Sequence, residues 1–193
     1  MRVIAGEYGG RILKAPEGSV TRPTTDRVRE SLMSALTSAL GSWEGLTVLD
    51  AFAGSGALGI EALSRGADYV LFCEQDVKVL RVLQKNLETL GIPKGAYTLW
   101  RGDTFFLASA TASFVNAFDV VFLDPPYNYS AERIAAFVET LDAAGFIASG
   151  CVITYEYAKK SKLFIQEAMN RLEYRTVFEK SYGRTCVVAL RKE

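Results

Sequence analysis

Residues Phe118-Asp119-Val120-Val121-Phe122-Leu123-Asp124-Pro125-Pro126-Tyr127 constrain the fold more than any other stretch of the chain. Phe118 to Leu123 are mostly apolar and β-prone, the pattern of a strand buried in a sheet. A carboxylate and two prolines follow at once. Proline has no N–H and fixes φ, so the pair stops the strand and stiffens the loop beyond it. Asp124 is thereby placed at the carboxyl edge of a sheet, where open α/β folds bind ligands.

The rest of the chain alternates strand and helix patterns. Leu46 to Phe52 reads as a strand and Leu58 to Ser64 as a helix. Tyr69 to Glu74 is a strand, and Val77 to Leu90 a helix closed by Gly91 with Pro93 beyond. Tyr97 to Arg101 is a short strand before a helix from Thr104 to about Thr111. After Phe118 to Leu123 come a helix from Ala131 to Ala143 and a strand from Cys151 to Tyr157. A helix at 161–171 precedes strands near 173–181 and 185–191, joined by a turn at Tyr182-Gly183-Arg184. This is an α/β chain: a mostly parallel seven-stranded sheet, helices on both faces, and a closing antiparallel hairpin. Ahead of it, residues 2–14 read as a β-hairpin turning at Gly6-Glu7-Tyr8-Gly9-Gly10, residues 15–23 as a linker, and Thr24 or Thr25 as the cap of a helix to about Leu40.

The 193 residues suit one domain with a small appendage, divided here as 1–23 and 24–193. No apolar signal core opens the chain and no apolar run would span a membrane, so a cytoplasmic protein is expected. Cys73, Cys151 and Cys186 lie far apart and form no metal-binding pattern, which leaves them as small buried hydrophobes. With no histidine, Ser–His and Cys–His triads and imidazole metal sites are excluded, and no metal is expected.

Formal charge is zero but unevenly spread: residues 1–30 carry six Lys/Arg against four Asp/Glu, 31–157 seven against fourteen, and 158–193 nine against four. An acidic body with basic ends fits a polyanionic partner. Arg22, Arg27 and Arg29 cluster at a helix start, where cations oppose the helix dipole and structure alone does not ask for them.

Between the first parallel strand and its helix, Gly54, Gly56 and Gly59 spell G-x-G-x-x-G, and Glu74 ends the next strand. Read literally, this is a dinucleotide loop for NAD with an acid on the ribose. Asp50 argues otherwise. A carboxylate at the strand end repels a pyrophosphate but suits S-adenosylmethionine, whose sulfonium and amino groups are cationic. Glu74 still serves ribose hydroxyls, and Asp103 after Arg101-Gly102 lies where an adenine amino group would be read. Acids at Asp50, Glu74, Asp103 and Asp124 end four successive strands, and S-adenosylmethionine is the expected cofactor.

These residues, with Thr21-Arg22-Pro23-Thr24 and Asp26-Arg27-Val28-Arg29-Glu30, give the chain a form that resembles the RsmD family across almost its whole length. The glycine loop and Asp-Pro-Pro-Tyr are shared by many amino-methyltransferases; the Thr-Arg-Pro-Thr segment and the helix start after it narrow the match. Two departures are Ala51, where many members have Leu, and a less basic first turn. The resemblance implies a Rossmann-like S-adenosylmethionine-dependent methyltransferase fold acting on a guanine N2 of small-subunit ribosomal RNA. It implies cofactor contacts from Asp50, Phe52, Ala53, Gly54, Ser55, Gly56, Glu74, Gln75, Gly102, Asp103, Thr104 and Asp124. Catalysis would rest on Asp124, Pro125, Pro126 and Tyr127: the Asp124 carboxylate and Pro125 carbonyl accept the amine hydrogens of a flipped base, and Tyr127 stacks on it. RNA contacts fall to Arg2, Arg11, Lys14, Arg22, Arg27 and Arg29, with Lys159, Lys160 and Lys162 as a second patch. The expected partner is ribosomal RNA, alone or in an assembling subunit with ribosomal proteins, met by a monomer. Three rivals remain: an amino-methyltransferase for DNA, another RNA or a protein amide, an NAD-dependent oxidoreductase, and a non-catalytic RNA-binding module.

Overall fold

A computed structural model describes residues 1–16, 26–110, 117–126 and 128–193. In chain order the elements are α1 (Asp26–Leu40), β1 (Thr47–Asp50), α2 (Ala57–Ser64), β2 (Tyr69–Glu74), α3 (Val77–Leu90), β3 (Tyr97–Arg101), α4 (Leu107–Ala110), β4 (Phe118–Leu123), α5 (Ala131–Ala143), β5 (Ile147–Ala158), α6 (Lys162–Asn170), β6 (Arg175–Tyr182) and β7 (Thr185–Arg191). The strands form one seven-stranded sheet in the order β3-β2-β1-β4-β5-β7-β6. The expected α/β class, the parallel body and the closing antiparallel pair are all present. The linker, the Thr24 or Thr25 cap and Thr111 lie outside the described residues. No helix among the described residues is long and apolar enough to cross a membrane.

The chain packs as two compact units, Met1–Thr104 and Phe105–Glu193. In the first, β1, β2 and β3 pair in parallel. Val70, Leu71, Phe72 and Cys73 of β2 are each at most 1% exposed. Successive strand residues point to opposite faces, so this run shows β2 covered on both. Helix α2 packs on β1 and β2, and α3 on β2 and β3. Gly59 makes the α2 contact possible, since a Cβ there would stand 2.2 Å from Phe72 Cε1. Helix α3 is capped by Asp76, whose side chain accepts from the N–H groups of Lys78 and Val79, and it ends on Gly91 at φ 72°.

In the second unit β4 and β5 are parallel, while β5–β7 and β7–β6 are antiparallel. The sequence placed the start of β5 at Cys151, whereas it begins at Ile147. Register jumps from Phe118↔Ile147 to Val120↔Val152, so Ala148-Ser149-Gly150 bulges out. Gly150 takes φ 79° there, and loop-like residues inside a strand are the signature of a bulge. Cys73, Cys151 and Cys186 are buried and free, as expected. Burial, with a push from Asp119, holds the Cys151 thiol protonated well above its usual range.

The amino-terminal hairpin is held to the first unit by buried polar groups. Its only strand bridge is Arg2↔Ile12, supported by Val3 N–H on the Arg11 carbonyl (2.9 Å) and Leu13 N–H on the Met1 carbonyl (3.0 Å). Glu61 of α2, fully buried, accepts the N–H groups of Ile4 (2.7 Å) and Ala5 (3.1 Å) and pairs with Arg65 at 2.9 Å. Asn86 of α3 clamps Lys14, accepting its N–H at 2.9 Å and donating to its carbonyl at 3.0 Å. Removing the Glu61 carboxylate leaves two main-chain donors and a guanidinium without their acceptor. Glu61→Ala should therefore cost about 3–5 kcal/mol, measured by chemical denaturation. The Ile4 and Ala5 amides should lose hydrogen-exchange protection before the rest of the unit does; unchanged protection would mean that Glu61 does not hold the hairpin.

Candidate active site

In the first unit, β1 runs into the glycine loop at Asp50, which is 2% exposed. The next helix, α2, is preceded by Gly56 in the capping position, at φ 84° with no side chain to cap it. Asp50 supplies the missing cap from the strand end: its Oδ2 accepts the Gly59 N–H at 2.9 Å, satisfying a first-turn donor next to the positive helix terminus. The sequence had set this carboxylate beside a cationic ligand. Its hydrogen bond runs inward, to the loop's own backbone, because the glycine helix start must borrow an acceptor.

Glu74 ends β2 and joins the loop to the next helix. One oxygen accepts Gly54 N–H at 3.0 Å, the other Asp76 N–H at 2.8 Å. Gly54 stands at φ 54°, and a Cβ on it would meet nothing within 4 Å, so its face of the loop is open. By contrast a Cβ on Gly56 would strike Leu83 Cδ1 at 2.2 Å. Ala53 is tied to β2 by its N–H on the Cys73 carbonyl (2.9 Å), and Ser55 is buried with its carbonyl held by Asn86 at 3.0 Å. Phe52, Gly102 and Asp103 are half-buried, Thr104 is buried and Gln75 is exposed. Gly102 leaves room for the Trp100 ring, which a Cβ would approach to 2.5 Å.

This donor set discriminates between cofactors. A pyrophosphate needs free main-chain N–H groups at a glycine loop, yet Glu74 sits on that of Gly54 and Asp50 on that of Gly59. A dianion would have to displace one carboxylate and face both. A cationic nucleoside finds acids already in place, and each Glu74 oxygen keeps a further lone pair for a hydroxyl.

In the second unit, β4 delivers Asp124, half-buried, to Pro125, buried, and Pro126, exposed; Tyr127 lies outside the described residues. The Pro126 carbonyl accepts Tyr129 N–H at 3.2 Å, and Ser130 caps α5 through Arg133 N–H. Beside this loop is a cavity of about 370 Å³, lined by Pro125, Pro126 and Tyr129, the start of α5, Tyr155, Glu156 and Tyr157 of β5, and Lys160. That volume lies in the range of small-molecule sites, about 300–1,000 Å³. Its aromatic walls are fixed. Tyr129 packs edge-on against Phe105 with ring centroids 5.2 Å apart, and the Arg133 guanidinium lies 3.9 Å from the Phe105 centroid. Tyr157 donates to Glu179, which also takes Lys162 at 2.9 Å. Burial pushes the Tyr155 phenol up to about 12, so it stays a neutral donor.

Sequence reasoning found Pro125 and Pro126 but missed Tyr129, Tyr155, Glu156 and Tyr157. The available signal was a glutamate between two tyrosines at the end of an otherwise apolar strand. Of the basic residues named from sequence, Arg2, Arg11, Lys14 and Arg27 are exposed, and Arg22 lies outside the described residues. Arg29 is corrected. It is 0% exposed, donates to the Arg2 carbonyl and pairs with Asp26 at 3.0 Å; it anchors the hairpin and cannot face RNA. Lys159 and Lys160 are exposed, while Lys162 is engaged with Glu179. Among the described residues no group of acids and cysteines could hold a metal ion.

Glu179 lies below its ordinary value of 4.5, first through the Tyr157 hydrogen bond and then, against burial, through Lys162. A folded value below the unfolded one gives stability that is complete above the unfolded value and is lost as pH falls through the folded one. Glu179→Gln should therefore melt below the wild type at neutral pH, the gap closing in melts taken below about pH 4.5. A gap independent of pH would mean that the charge on Glu179 contributes nothing.

The family model described as Conserved hypothetical protein 95 matches residues 1–191. Ribosomal RNA small subunit methyltransferase D of Haemophilus influenzae is 36% identical over 183 residues, 94% of this chain and 91% of that protein. The Escherichia coli K12 protein of the same name is 35% identical over 156 residues, 81% of this chain and 74% of that one. Among solved structures, the methyltransferase-like protein yhhF of Escherichia coli superposes with a TM-score of 0.79 at 31% identity, covering 100% of this chain and 98% of that one. The magnesium protoporphyrin IX methyltransferase of Synechocystis, solved with bound SAM, shares the fold at 18% identity with a TM-score of 0.65, covering 86% and 79%. A family match over nearly the whole length and relatives above 30% identity agree with the glycine loop and the Asp-Pro-Pro turn: the chain belongs to the Conserved hypothetical protein 95 family, the RsmD family.

Proposed function

We propose that this protein methylates small-subunit ribosomal RNA, taking the methyl group from S-adenosylmethionine and placing it on the N2 amine of a guanine. The observation that carries the reading is the cavity lined by Pro125 and Pro126, the residues that follow Asp124, walled by tyrosines and of a volume that suits a planar base. A base inside a duplex or stack cannot reach such a site, so the target nucleotide is flipped out.

Bound at the glycine loop, S-adenosylmethionine supplies an electrophilic methyl group on a cationic sulfur. Glu74 would hold the ribose hydroxyls and Asp103 and Thr104 would border the adenine, while Asp50 keeps the loop in shape. Gly54, Phe52, Ala53, Ser55, Gly56, Gln75 and Gly102 would form the surrounding contact surface. The lone pair of an exocyclic amine is delocalised into its ring, which makes it a weak nucleophile. Asp124 and the Pro125 carbonyl accept its two hydrogens, orient it and favour a more tetrahedral nitrogen. Asp124, a carboxylate, would also stabilise the positive charge that methylation leaves on the nitrogen. The proton then leaves the nitrogen through Asp124 to water, and Tyr127 stacks on the base. Positioning and electrostatics carry the rate.

Ribosomal RNA as the substrate is supported by the names of the relatives and by the exposed cations Arg2, Arg11, Lys14 and Arg27 on the hairpin and α1. The NAD reading is disfavoured by the carboxylates that occupy the loop's N–H groups. The enzyme acts as a monomer in the cytoplasm, on RNA or an assembling subunit.

Asp124→Ala should lower kcat by about 10²–10³-fold or more while the dissociation constant for S-adenosylmethionine, by calorimetry, changes only a few-fold. Equal loss of both would make Asp124 a cofactor or structural residue. The assay is transfer of labelled methyl to unmodified small-subunit RNA, naked and assembled, with DNA alongside; label as N2-methylguanine is expected, and label in DNA alone would sink the substrate. Arg11→Ala with Lys14→Ala should reduce the salt slope of RNA binding by about 1.5, and an unchanged slope would clear the hairpin of RNA contact.

A further inference from the structure

We propose that Tyr155 anchors the flipped base, its hydroxyl donating to an acceptor atom of that base; this rests on the reading of the cavity as the target-base pocket. Residues 152–158 of β5 pair with β7 in unbroken register. Tyr155 and Tyr157 therefore point to one face of the sheet and Glu156 to the other. The two rings lie 5.7 Å apart, tilted at 53°, and both line the cavity.

The two phenols differ in what binds them. Tyr157 spends its O–H on Glu179, which Lys162 holds in turn at 2.9 Å. Tyr155 is 4% exposed, and among the described residues its hydroxyl has no hydrogen-bond partner. A buried tyrosine O–H normally has one. Because this residue lines the cavity, the missing partner comes from what enters it. Burial, and after it the charge of Glu132, pushes the phenol up to about 12, so it meets a ligand as a neutral O–H.

The other polar groups of the lining are engaged or stand in water. The Ser130 hydroxyl accepts Arg133 N–H at 3.3 Å. Glu132 is exposed, and its carboxyl is lowered by hydrogen bonds from its own backbone and from Ser130. Lys160 is exposed as well. Tyr155 alone combines burial with an unspent donor.

A flipped base has left its pairing partners behind, and guanine brings three acceptors: its ring carbonyl, N3 and N7. Asp124 and the Pro125 carbonyl, as read above, grip only the amine, about which the ring could still turn in its plane. A donor at a second point on the base stops that rotation. It thereby fixes the direction of the amine toward the methyl group, where small misplacements cost rate.

Tyr155→Phe removes one oxygen and keeps the ring. It should lower kcat/KM on small-subunit RNA about 10-fold or more. Melting temperature should stay at or above that of the wild type, because no protein partner is lost. Affinity for S-adenosylmethionine and the salt slope of RNA binding should not move. RNA carrying 3-deazaguanine, 7-deazaguanine or 2-aminopurine at the modified guanine then removes N3, N7 and the ring carbonyl in turn. On one of these, Tyr155→Phe should cost nothing beyond what the analogue already costs the wild type, the non-additivity of a broken pair. Additive losses on all three, or a lowered melting temperature, would make Tyr155 a structural wall and overturn the proposal. Unchanged kcat/KM in Tyr155→Phe overturns the role of Tyr155 alone. A wild type that methylates no guanine overturns the pocket reading and the role of Tyr155 with it.

Discussion

The first unit depends on carboxylates acting as ligands for its own backbone. A glycine loop that turns directly into a helix has main-chain donors in a half-buried place and no side chains to satisfy them. Asp50 reaches across to Gly59 and Glu74 reaches to Gly54 and Asp76, while Asp76 caps α3. These bonds tie the ends of β1 and β2 to the starts of α2 and α3. The direction of α2 then decides where the hairpin lies, because Glu61 and Ser64 present its acceptors: Ser64 takes Tyr8 N–H on its hydroxyl at 3.0 Å and Glu7 N–H on its carbonyl at 2.7 Å. Gly6 packs so closely on that carbonyl that a Cβ would stand 1.7 Å away.

Most of the fold was legible because its signals are local. Tyr69–Glu74, Val77–Leu90, Tyr97–Arg101, Phe118–Leu123 and Ala131–Ala143 have the bounds that their apolar periods and caps dictate. The start of β5 was not legible, since Ala148-Ser149-Gly150 has loop composition and its place in a strand comes from pairing with neighbours, such as Gly150 N–H on the Lys192 carbonyl. Arg29 shows a second limit. Its neighbours Arg27 and Arg22 have the same chemistry, and only the hairpin folding back over α1 buries one guanidinium and leaves Arg27 outside.

The site divides in the same way. The glycine loop, its acids and the Asp-Pro-Pro turn sit on contiguous stretches whose spacing has chemical meaning. The cavity walls do not. Tyr129 takes its place from Phe105 and Arg133, and Tyr157 from Glu179 on β6, partners made by topology rather than by sequence proximity. The two tyrosines two residues apart at the end of β5, on one face of the strand, were the one local trace of the pocket.

The charge pattern gains a physical meaning from the burial of particular acids. Residues 31–157 carry fourteen acids against seven Lys/Arg, which on an open surface would repel a nucleic acid. Asp50, Glu61 and Glu156 are each at most 8% exposed, and the first two face backbone donors and a guanidinium. Their fields act at short range in a medium of low dielectric, where a charge discriminates strongly. The cations Arg2, Arg11, Lys14 and Arg27 stay in water, where they act at longer range and yield to salt. The two signs therefore act over different distances: the exposed cations act through solvent, and the inward acids act on the groups packed against them. An enzyme that must hold a cationic cofactor and a polyanionic substrate together needs this separation by depth, and net charge near zero is its natural result.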